Sequence, residues 1–372
     1  MFVSGEFDPT NDLGLFPDKS FVASCHGFLL RNDPVKDLCE RYIDKGRNFL
    51  KVLRRYDDLT AYVLGREEAV AGNSVKWAVP FLKAFGATDN GIYTWCRDHM
   101  DLVPGSCQAM RYITNLMPSA LLASEYEHAI MPLNDALEAP DCNIECTALS
   151  MDGATFGRSD SRRLRELAAE ISSLKVPSVT YEIDVPMEVD EADVRIITTL
   201  DNIFQEEIPG ISCAMSLMES IDPLNSFKKG YSLVNLRKET NIDFDSTVFV
   251  GSDHTDFQSL DLVRDQNGLA IAFNGEEFAV RGCNVCVNSN DSTVVAVLTQ
   301  EFFNGGIQSV TDLVNNWDRQ YLKKADMPDR HLMDCMLKAH PRKLPEVHMV
   351  DKHNVEEISK TSEAYRSKIM PK

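Results

Sequence analysis

Four short polar stretches contain the side chains best suited to chemistry. They are Ser24-Cys25-His26, Ser124, the pair Lys228-Lys229, and the acidic run Ser252-Asp253-His254-Thr255-Asp256. Carboxylates such as those of Asp253 and Asp256 are ligands for hard cations such as Mg²⁺. A hydroxyl and an ammonium group, such as those of Ser124 and Lys229, suit a phosphate or carboxylate ligand. If they meet in space, these side chains would form an anion or metal site.

Ser24 and His26 have the residue types of a nucleophile and its base. A serine hydroxyl is almost un-ionised at neutral pH and needs a neighbouring base to attack. Alternate residues at a strand end point the same way, so the two side chains should lie side by side. No third group that would orient the imidazole is evident in the sequence, and an unreactive pair is favoured over a catalytic one.

The other stretches also have ordinary structural interpretations. Asp253 and Asp256 could be solvated loop acids that cap the next helix. Ser124 and Lys229 could be a helix cap and a surface lysine. The sequence does not decide between these interpretations and ligand binding.

Ten cysteines include two closely spaced pairs, Cys142 with Cys146 and Cys283 with Cys286. Four thiolates could hold zinc. Both pairs lie in strand-like runs, however, where free cysteine is a common small core residue. A core role is therefore favoured over zinc and over a disulfide framework.

The polar stretches follow predicted strands. Thr247–Val250 is a β-branched apolar run, followed by the acidic turn, a helical pattern and a second strand at Leu269–Phe273, which together form one βαβ unit. Further strands are predicted near residues 21, 120, 143 and 283, mostly separated by helical patterns. The sequence therefore predicts an α/β fold with a doubly wound, mainly parallel Rossmann-like sheet. Ligands bind such sheets at the carboxyl ends of the strands.

Helical periodicity after the first strand predicts an inserted helical cap. Within it, Tyr56, Asp57, Asp58 and Trp77 are candidates to face the strand ends. The predicted divisions are an irregular leader (1–20), an α/β core (21–34 with 104–303, including an insertion around 151–220), the helical cap (35–103), and a helical and polar C-terminal extension packed on the core (304–372).

The acidic composition argues against some classes of partner. The 372 residues include 57 acidic and 38 basic side chains, for a formal charge of −19. This balance argues against nucleic acid or an anionic membrane surface as the main partner. No run approaches the roughly 18 apolar residues of a membrane span, and residues 1–20 are unlike a signal peptide. A cytoplasmic protein is predicted.

The order of these motifs resembles that of the haloacid-dehalogenase (HAD) superfamily, mostly phosphohydrolases and phosphotransferases with an aspartyl nucleophile and Mg²⁺. The likeness consists of a loop after strand one, a serine after strand two, a lysine at a helix start, and Gly-x-x-x-x-Asp after strand four. More narrowly, the chain is similar to the archaeal phosphatase-like family named energy-converting hydrogenase A subunit R. The stretches that resemble that family are FVASCHGFLLRND, NFLKVLRRYDDLTAYV, VPFLKAFGATDN, LVPGSCQAMRYI, SEYEHAI, IFQEEIPG, VGSDHTDFQSLDLVRDQNGLAIAFNG and KLPEV.

The chain departs from the superfamily pattern at its acids. The first loop of the superfamily reads Asp-x-Asp, and that of the narrower family Asp-x-Glu-Gly-Pro; the first carboxylate attacks phosphorus and the second acid handles the leaving-group proton. Ser24 and His26 occupy those positions here. Cys25 lies between them, and its carbonyl is expected to point at a metal. Ser252 replaces one metal-binding acid, while Asp253 and Asp256 remain.

The resemblance also assigns phosphate-binding roles, to Ser124 for the hydroxyl and Lys229 for the ammonium. Each assignment is uncertain by one residue, since Ala123 and Lys228 are adjacent.

Three functions follow from the resemblance. The first is a catalytically degenerate HAD phosphatase-like protein, a pseudoenzyme that binds a phosphorylated or anionic ligand or a protein partner and holds Mg²⁺ weakly at most. The second is an active Mg²⁺-dependent phosphohydrolase with rearranged site acids. The third rests on the family name alone: an accessory subunit of an archaeal membrane hydrogenase complex in a methanogen. On the first hypothesis, aspartates at positions 24, 26 and 252 should restore weak hydrolysis.

Overall fold

A seven-stranded sheet forms the centre of the computed structural model, which describes residues 18–66, 69–139, 142–178, 189–325 and 329–370. The strand order is β3-β2-β1-β4-β5-β6-β7. The first six strands pair in parallel, and β7 is antiparallel to β6. The strands are β1 (Ser20–Ala23), β2 (Ser119–Tyr126), β3 (Cys142–Thr147), β4 (Thr247–Gly251), β5 (Leu269–Phe273), β6 (Val285–Asn288) and β7 (Glu346–Met349). The predicted α/β fold with a mainly parallel sheet is confirmed. Most of the predicted leader, residues 1–17, lies outside the described residues.

Sixteen helices among the described residues surround the sheet. They are α1 (Pro34–Tyr42), α2 (Gly46–Asp58), α3 (Ser74–Ala84), α4 (Asp89–Asp98), α5 (Ser106–Leu116), α6 (Glu127–Leu137), α7 (Arg158–Ser173), α8 (Glu191–Asn202), α9 (Ser212–Glu219), α10 (Ser226–Thr240), α11 (Phe257–Asp265), α12 (Glu277–Gly282), α13 (Thr293–Asn315, kinked at Gly306), α14 (Arg319–Leu322), α15 (Arg330–Ala339) and α16 (Val355–Ile369). Within the described part of the chain, no helix is both long and apolar enough to cross a membrane.

The two faces of the sheet are covered by different helices. Successive side chains of a strand point to opposite faces: Phe21 and Ala23 pack on the side of α5, α6, α13 and α15, while Val22 packs on the side of α10, α11, α12 and α16. By the same alternation Cys25 is buried in the first layer. Ser24 therefore faces α10, the helix that carries Lys229.

The two sequence insertions share one apolar core. Side chains of α1 to α4 pack with those of α7 to α9 in a single cluster. Its aromatic centre joins the insertions, since the ring of Tyr56 lies 5.4 Å from Trp77 and 5.8 Å from Phe204. Tyr56 and Trp77 thus pack inside the helical unit. The prediction that they face the strand ends is wrong for these two residues. The proposed domain boundaries remain a prediction.

The C-terminal residues add to the sheet as well as covering it. The polarity of residues 338–372 predicts a segment that wraps the surface, but β7 extends the sheet and α16 packs on the layer formed by α10, α11 and α12. Ser362 of α16 is fully buried and donates to the Gly275 carbonyl at 2.8 Å. The tail is therefore part of the fold near the carboxyl ends of β4 and β5.

The zinc alternative is excluded by the strand order. Cys142 and Cys146 lie on β3, whereas Cys283 precedes β6 and Cys286 lies on it. The two strands are five positions apart in the sheet, or roughly 24 Å at the usual strand spacing. All ten cysteines are free thiols.

Candidate functional site

The loop after β4 is held together by its own carboxylates. The Asp253 carboxylate accepts the Thr255 amide at 2.8 Å and the Thr255 hydroxyl at 2.6 Å. Asp256 Oδ2 accepts the amides of Ser252 at 2.8 Å and Asp253 at 3.3 Å. This reciprocal arrangement is a capping box. Gly251 makes it feasible, because a Cβ there would lie 2.6 Å from the Asp256 Cβ.

Lys229 and Asp256 form a buried ion pair beneath this loop. Asn225 caps α10 by accepting the Lys228 amide at 3.1 Å, which places Lys229 in the first turn. The Lys229 Nζ donates to Asp256 Oδ1 at 2.7 Å, to Thr255 Oγ1 at 2.9 Å and to Ser24 Oγ at 3.1 Å. Lys229 is 2% exposed and Asp256 is 0% exposed. All three ammonium protons are therefore used inside the protein.

The Ser24 hydroxyl is part of the same buried network. It donates to Asp256 Oδ1, accepts from Lys229, and is 3% exposed. Burial tends to lower the pKa of Lys229, but the carboxylates of Asp256, Asp253 and Glu125 outweigh burial and raise it. The ammonium stays charged, so Asp256 is occupied as its counter-ion and is a poor base for Ser24.

The residues present do not fit the Mg²⁺ site that the resemblance implies. Both oxygens of Asp256 already accept hydrogen bonds. Ser252 Oγ donates to the His26 carbonyl at 2.7 Å, which joins the two loops directly. Gly27, with φ of +85°, permits this approach, because a Cβ there would lie 2.6 Å from the Ser252 side chain. Among the described residues there is no cluster of three or more His, Cys, Asp or Glu side chains placed to hold a metal ion.

The expectation for the Cys25 carbonyl is wrong. It accepts the amides of Leu29 at 2.9 Å and Leu30 at 3.0 Å, in the turn that follows β1. The peptide carbonyl that faces the loop after β4 is that of His26.

A cavity of about 340 Å³ lies above this network, between the helical insertions and the strand ends. Ser124, Asp253 and His26 line it, whereas Ser24, Lys229 and Asp256 lie beneath its surface. The Ser124 hydroxyl donates to the Leu224 carbonyl at 2.9 Å. The structure thus brings all six predicted site residues close together. Three of them line the cavity, and the other three form the buried network beneath it.

Most charged side chains of the cavity are paired. His26 Nδ1 lies 3.8 Å from Asp253, and Arg54 pairs with Asp33. Arg31 pairs with Asp101 at 2.6 Å, outside the cavity lining. His254 lies between Asp58 at 3.3 Å and Glu276 at 3.9 Å. Burial tends to lower the pKa of His254, but Asp58, Glu276 and Asp253 outweigh it and raise the pKa to about 10. His254 is therefore a cation at neutral pH.

Several residues that line the cavity were not predicted from the sequence, Arg366 and Glu125 among them. Arg366 of α16 donates to the Asn274 carbonyl at 3.0 Å and pairs with Glu276 at 3.3 Å. Nothing in the polar tail sequence indicates that it returns to the strand ends. Glu125 follows Ser124 at the end of β2 and lines the cavity. Its position at a parallel-strand end could have drawn attention to it.

Comparisons with known proteins support the fold. The chain is similar to the structure of gene product AF1437 from Archaeoglobus fulgidus, with a TM-score of 0.73 and 19% identity over 95% of this chain and 97% of that one. It also matches a phospho-aspartyl intermediate analogue and a substrate-bound complex of phosphoserine phosphatase. Both matches have a TM-score of 0.45 and cover 76% of this chain. The identity is 12% over 98% of the first structure and 11% over 97% of the second.

The first likeness spans nearly the full length of both chains and concerns the fold alone. The likeness to phosphoserine phosphatase is too low to support a conclusion. No family model and no curated protein matches the sequence.

Proposed function

We propose that this chain is a HAD phosphatase-like protein that has lost aspartyl-phosphatase chemistry and binds a small phosphorylated or otherwise anionic ligand. The observation that carries the proposal is the sealed network of Ser24, Lys229 and Asp256. The residue at the nucleophile position is a serine whose proton is donated to a carboxylate that is already the counter-ion of a lysine. It does not reach the cavity in which a substrate would lie.

The cavity itself supports ligand binding. A volume of about 340 Å³ is within the range of small-molecule sites. Arg31, Lys36 and Arg54 line the side formed by the loop after β1 and by α1 and α2. Guanidinium and ammonium groups are the usual partners of phosphate and carboxylate. The anionic group of the ligand is assigned to this side.

The binding half of the proposal is tested by calorimetric titration of inorganic phosphate and a simple alkyl phosphate into the protein, in EDTA and in Mg²⁺. Equal affinity in both buffers is expected, because the site contains no fitting metal ligands. Lys36→Met, on α1, should weaken binding, whereas Lys51→Met, at an exposed lysine on the neighbouring α2, should not. Absence of binding in both buffers would overturn the anion site.

The catalytic half is tested by an assay with Mg²⁺ and para-nitrophenyl phosphate. No turnover above a buffer control is expected. Turnover that disappears in Ser24→Ala, with the fold intact by circular dichroism, would favour instead the active phosphohydrolase with rearranged acids. Asp256→Ala is a weaker control, since it leaves the Lys229 charge buried without its partner.

A further inference from the structure

Glu125 is the cavity acid that lacks a partner within the described chain. It is 9% exposed, and its carboxylate forms no hydrogen bond or ion pair with another residue of the described chain; its own backbone amide is its donor. The other cavity acids are all engaged: Asp33 with Arg54, Asp58 with His254, Asp253 with Thr255, and Glu276 with Arg366.

The Glu125 carboxyl lies at the cavity surface and is not sealed in the core. Burial of most of the side chain raises the pKa of Glu125, because the charged form is less well solvated there. The charged groups that face it are Lys229, which is neutralised by Asp256, together with His26 and Asp253. None of them forms an ion pair with Glu125, so a cationic group that enters the cavity meets no competing partner there.

Charge is unevenly distributed around the cavity. On the side of α1 and α2, the lining contains Arg31, Lys36 and Arg54 with one acid, Asp33, while Asp101 pairs with Arg31 from behind the lining. On the side of the strand ends, four acids face two cations; the acids are Asp58, Glu125, Asp253 and Glu276, and the cations are His254 and Arg366. One side therefore favours an anionic group, and the opposite side a cationic one.

We propose that Glu125 binds the ammonium group of a small zwitterionic ligand whose anionic group lies toward Arg31, Lys36 and Arg54. This rests on the proposed anion site and adds a second recognition element to it. The ligand ammonium would give the Glu125 carboxylate the ion-pair partner that no other residue of the described chain supplies. Such an acid is expected where function, not stability, determines the residue.

The test compares two ligands of equal size, 2-aminoethyl phosphate and propyl phosphate, by calorimetric titration near neutral pH. The ammonium of the first replaces the methyl of the second. The amine is expected to bind at least about tenfold more tightly, since a hydrogen bond to a charged group contributes about 1.5–3 kcal/mol. Glu125→Gln should reduce this ratio to near one while leaving propyl phosphate binding almost unchanged. Glu170→Gln, the same change at an exposed site on α7, should preserve the ratio.

A second measurement separates ligand binding from a structural role. Without ligand, Glu125→Gln should be as stable as the wild type or more stable in urea denaturation, because it removes an uncompensated buried acid. Equal binding of the two phosphates by the wild type would overturn this inference and leave the anion site standing. So would a Glu125→Gln variant that is destabilised yet retains the amine preference. If neither phosphate binds, the proposed function fails and this inference fails with it.

Discussion

The buried pair of Lys229 and Asp256 decides the chemistry at the residue scale. Taking two charges out of water is expensive, and the cost is offset only when geometry and hydrogen bonds are good. Here Ser24, Thr255 and the loop amides supply those bonds. A carboxylate in such a network acts as a structural counter-ion and has no free oxygen with which to bind a metal or take a proton.

We expect the substitutions Lys229→Met and Asp256→Asn to be strongly non-additive. Each single change leaves its former partner buried without compensation and should cost about 3–5 kcal/mol of unfolding free energy. The double variant removes both charges and should cost much less than the sum. Urea denaturation of the four proteins in a double-mutant cycle measures the coupling. Simple additivity would show that the two charges do not compensate each other.

The site positions were predictable from the sequence, whereas their roles were not. Strand ends and residue spacing place Ser24, Ser124 and Asp256 near one another, because parallel strands end at the same edge of the sheet. The sequence does not show that the Lys229 side chain passes beneath the loop to Ser24, since that depends on the packing of α10. It also cannot show that Ser252 reaches the His26 carbonyl across two loops.

At the scale of elements, a buried aspartate holds the turn of the helical insertion that contacts α10 of the core. Asp57, at the end of α2, accepts the amides of Gly72 at 2.9 Å and Ser74 at 2.8 Å, while its other oxygen is buried without a hydrogen bond. The same turn meets the start of α10, where the Ser226 amide donates to the Ala71 carbonyl at 3.2 Å. Asp57 was predicted to face the strand ends. Its carboxylate instead stabilises the turn that contacts α10.

Asp57 should give stability a distinctive pH dependence. Burial, assisted by Asp58, raises the pKa of Asp57 to about 7, against about 3.9 in an unfolded chain. Between these values the folded state binds the extra proton, so this group makes the protein less stable as pH rises from about 4 to about 7. Asp57→Asn should abolish that loss, which amounts to roughly 1.4 kcal/mol per unit of pKa difference.

Urea denaturation at pH 5 and pH 8 checks this prediction, with Asp135→Asn at an exposed site on α6 as the matched control. A wild type and an Asp57→Asn variant with the same change in stability between the two pH values would contradict it.

The elements themselves were predicted unevenly. Five of the six parallel strands have apolar or β-branched runs and β3 has a mixed sequence, yet all six were predicted at their observed places. The seventh, Glu346–Met349, is short, polar and paired on one side only, so neither alternation nor apolarity marks it. The joint core of the two insertions depends on contacts between segments more than 100 residues apart, such as that of Tyr56 with Phe204. No local pattern encodes such contacts.

At the scale of the whole molecule, polar residues gather at the carboxyl ends of the strands, but most of them form ion pairs and hydrogen bonds with each other. Lys229 pairs with Asp256 of the loop after β4, and His254 of the same loop pairs with Asp58 of α2. The tail adds Arg366 of α16, which lies more than 100 residues beyond the loop after β4 in sequence. The cavity above is open, so the proposed ligand site is separated from the sealed layer of Ser24, Lys229 and Asp256.

This separation predicts how the molecule responds when the missing acids are supplied. The combined change Ser24→Asp, His26→Asp and Ser252→Asp places three carboxylates near Asp253 and Asp256 and removes the hydroxyl that donates to the carbonyl of residue 26. Without a cation the like charges should repel and lower the melting temperature. Mg²⁺ should then restore stability by binding the folded state selectively. In the wild type, Mg²⁺ should change the melting temperature little.

Thermal denaturation in EDTA and in Mg²⁺ measures the difference, with asparagines at the same three positions as an uncharged control. Weak hydrolysis of para-nitrophenyl phosphate by the triple aspartate variant alone would support the proposal that the chain lacks phosphatase chemistry because these acids are replaced. An equal Mg²⁺ response in the wild type would mean that Asp253 and Asp256 already bind the metal. The Lys229–Asp256 pair would then have to open on metal binding, because its carboxylate oxygens are occupied in the present arrangement.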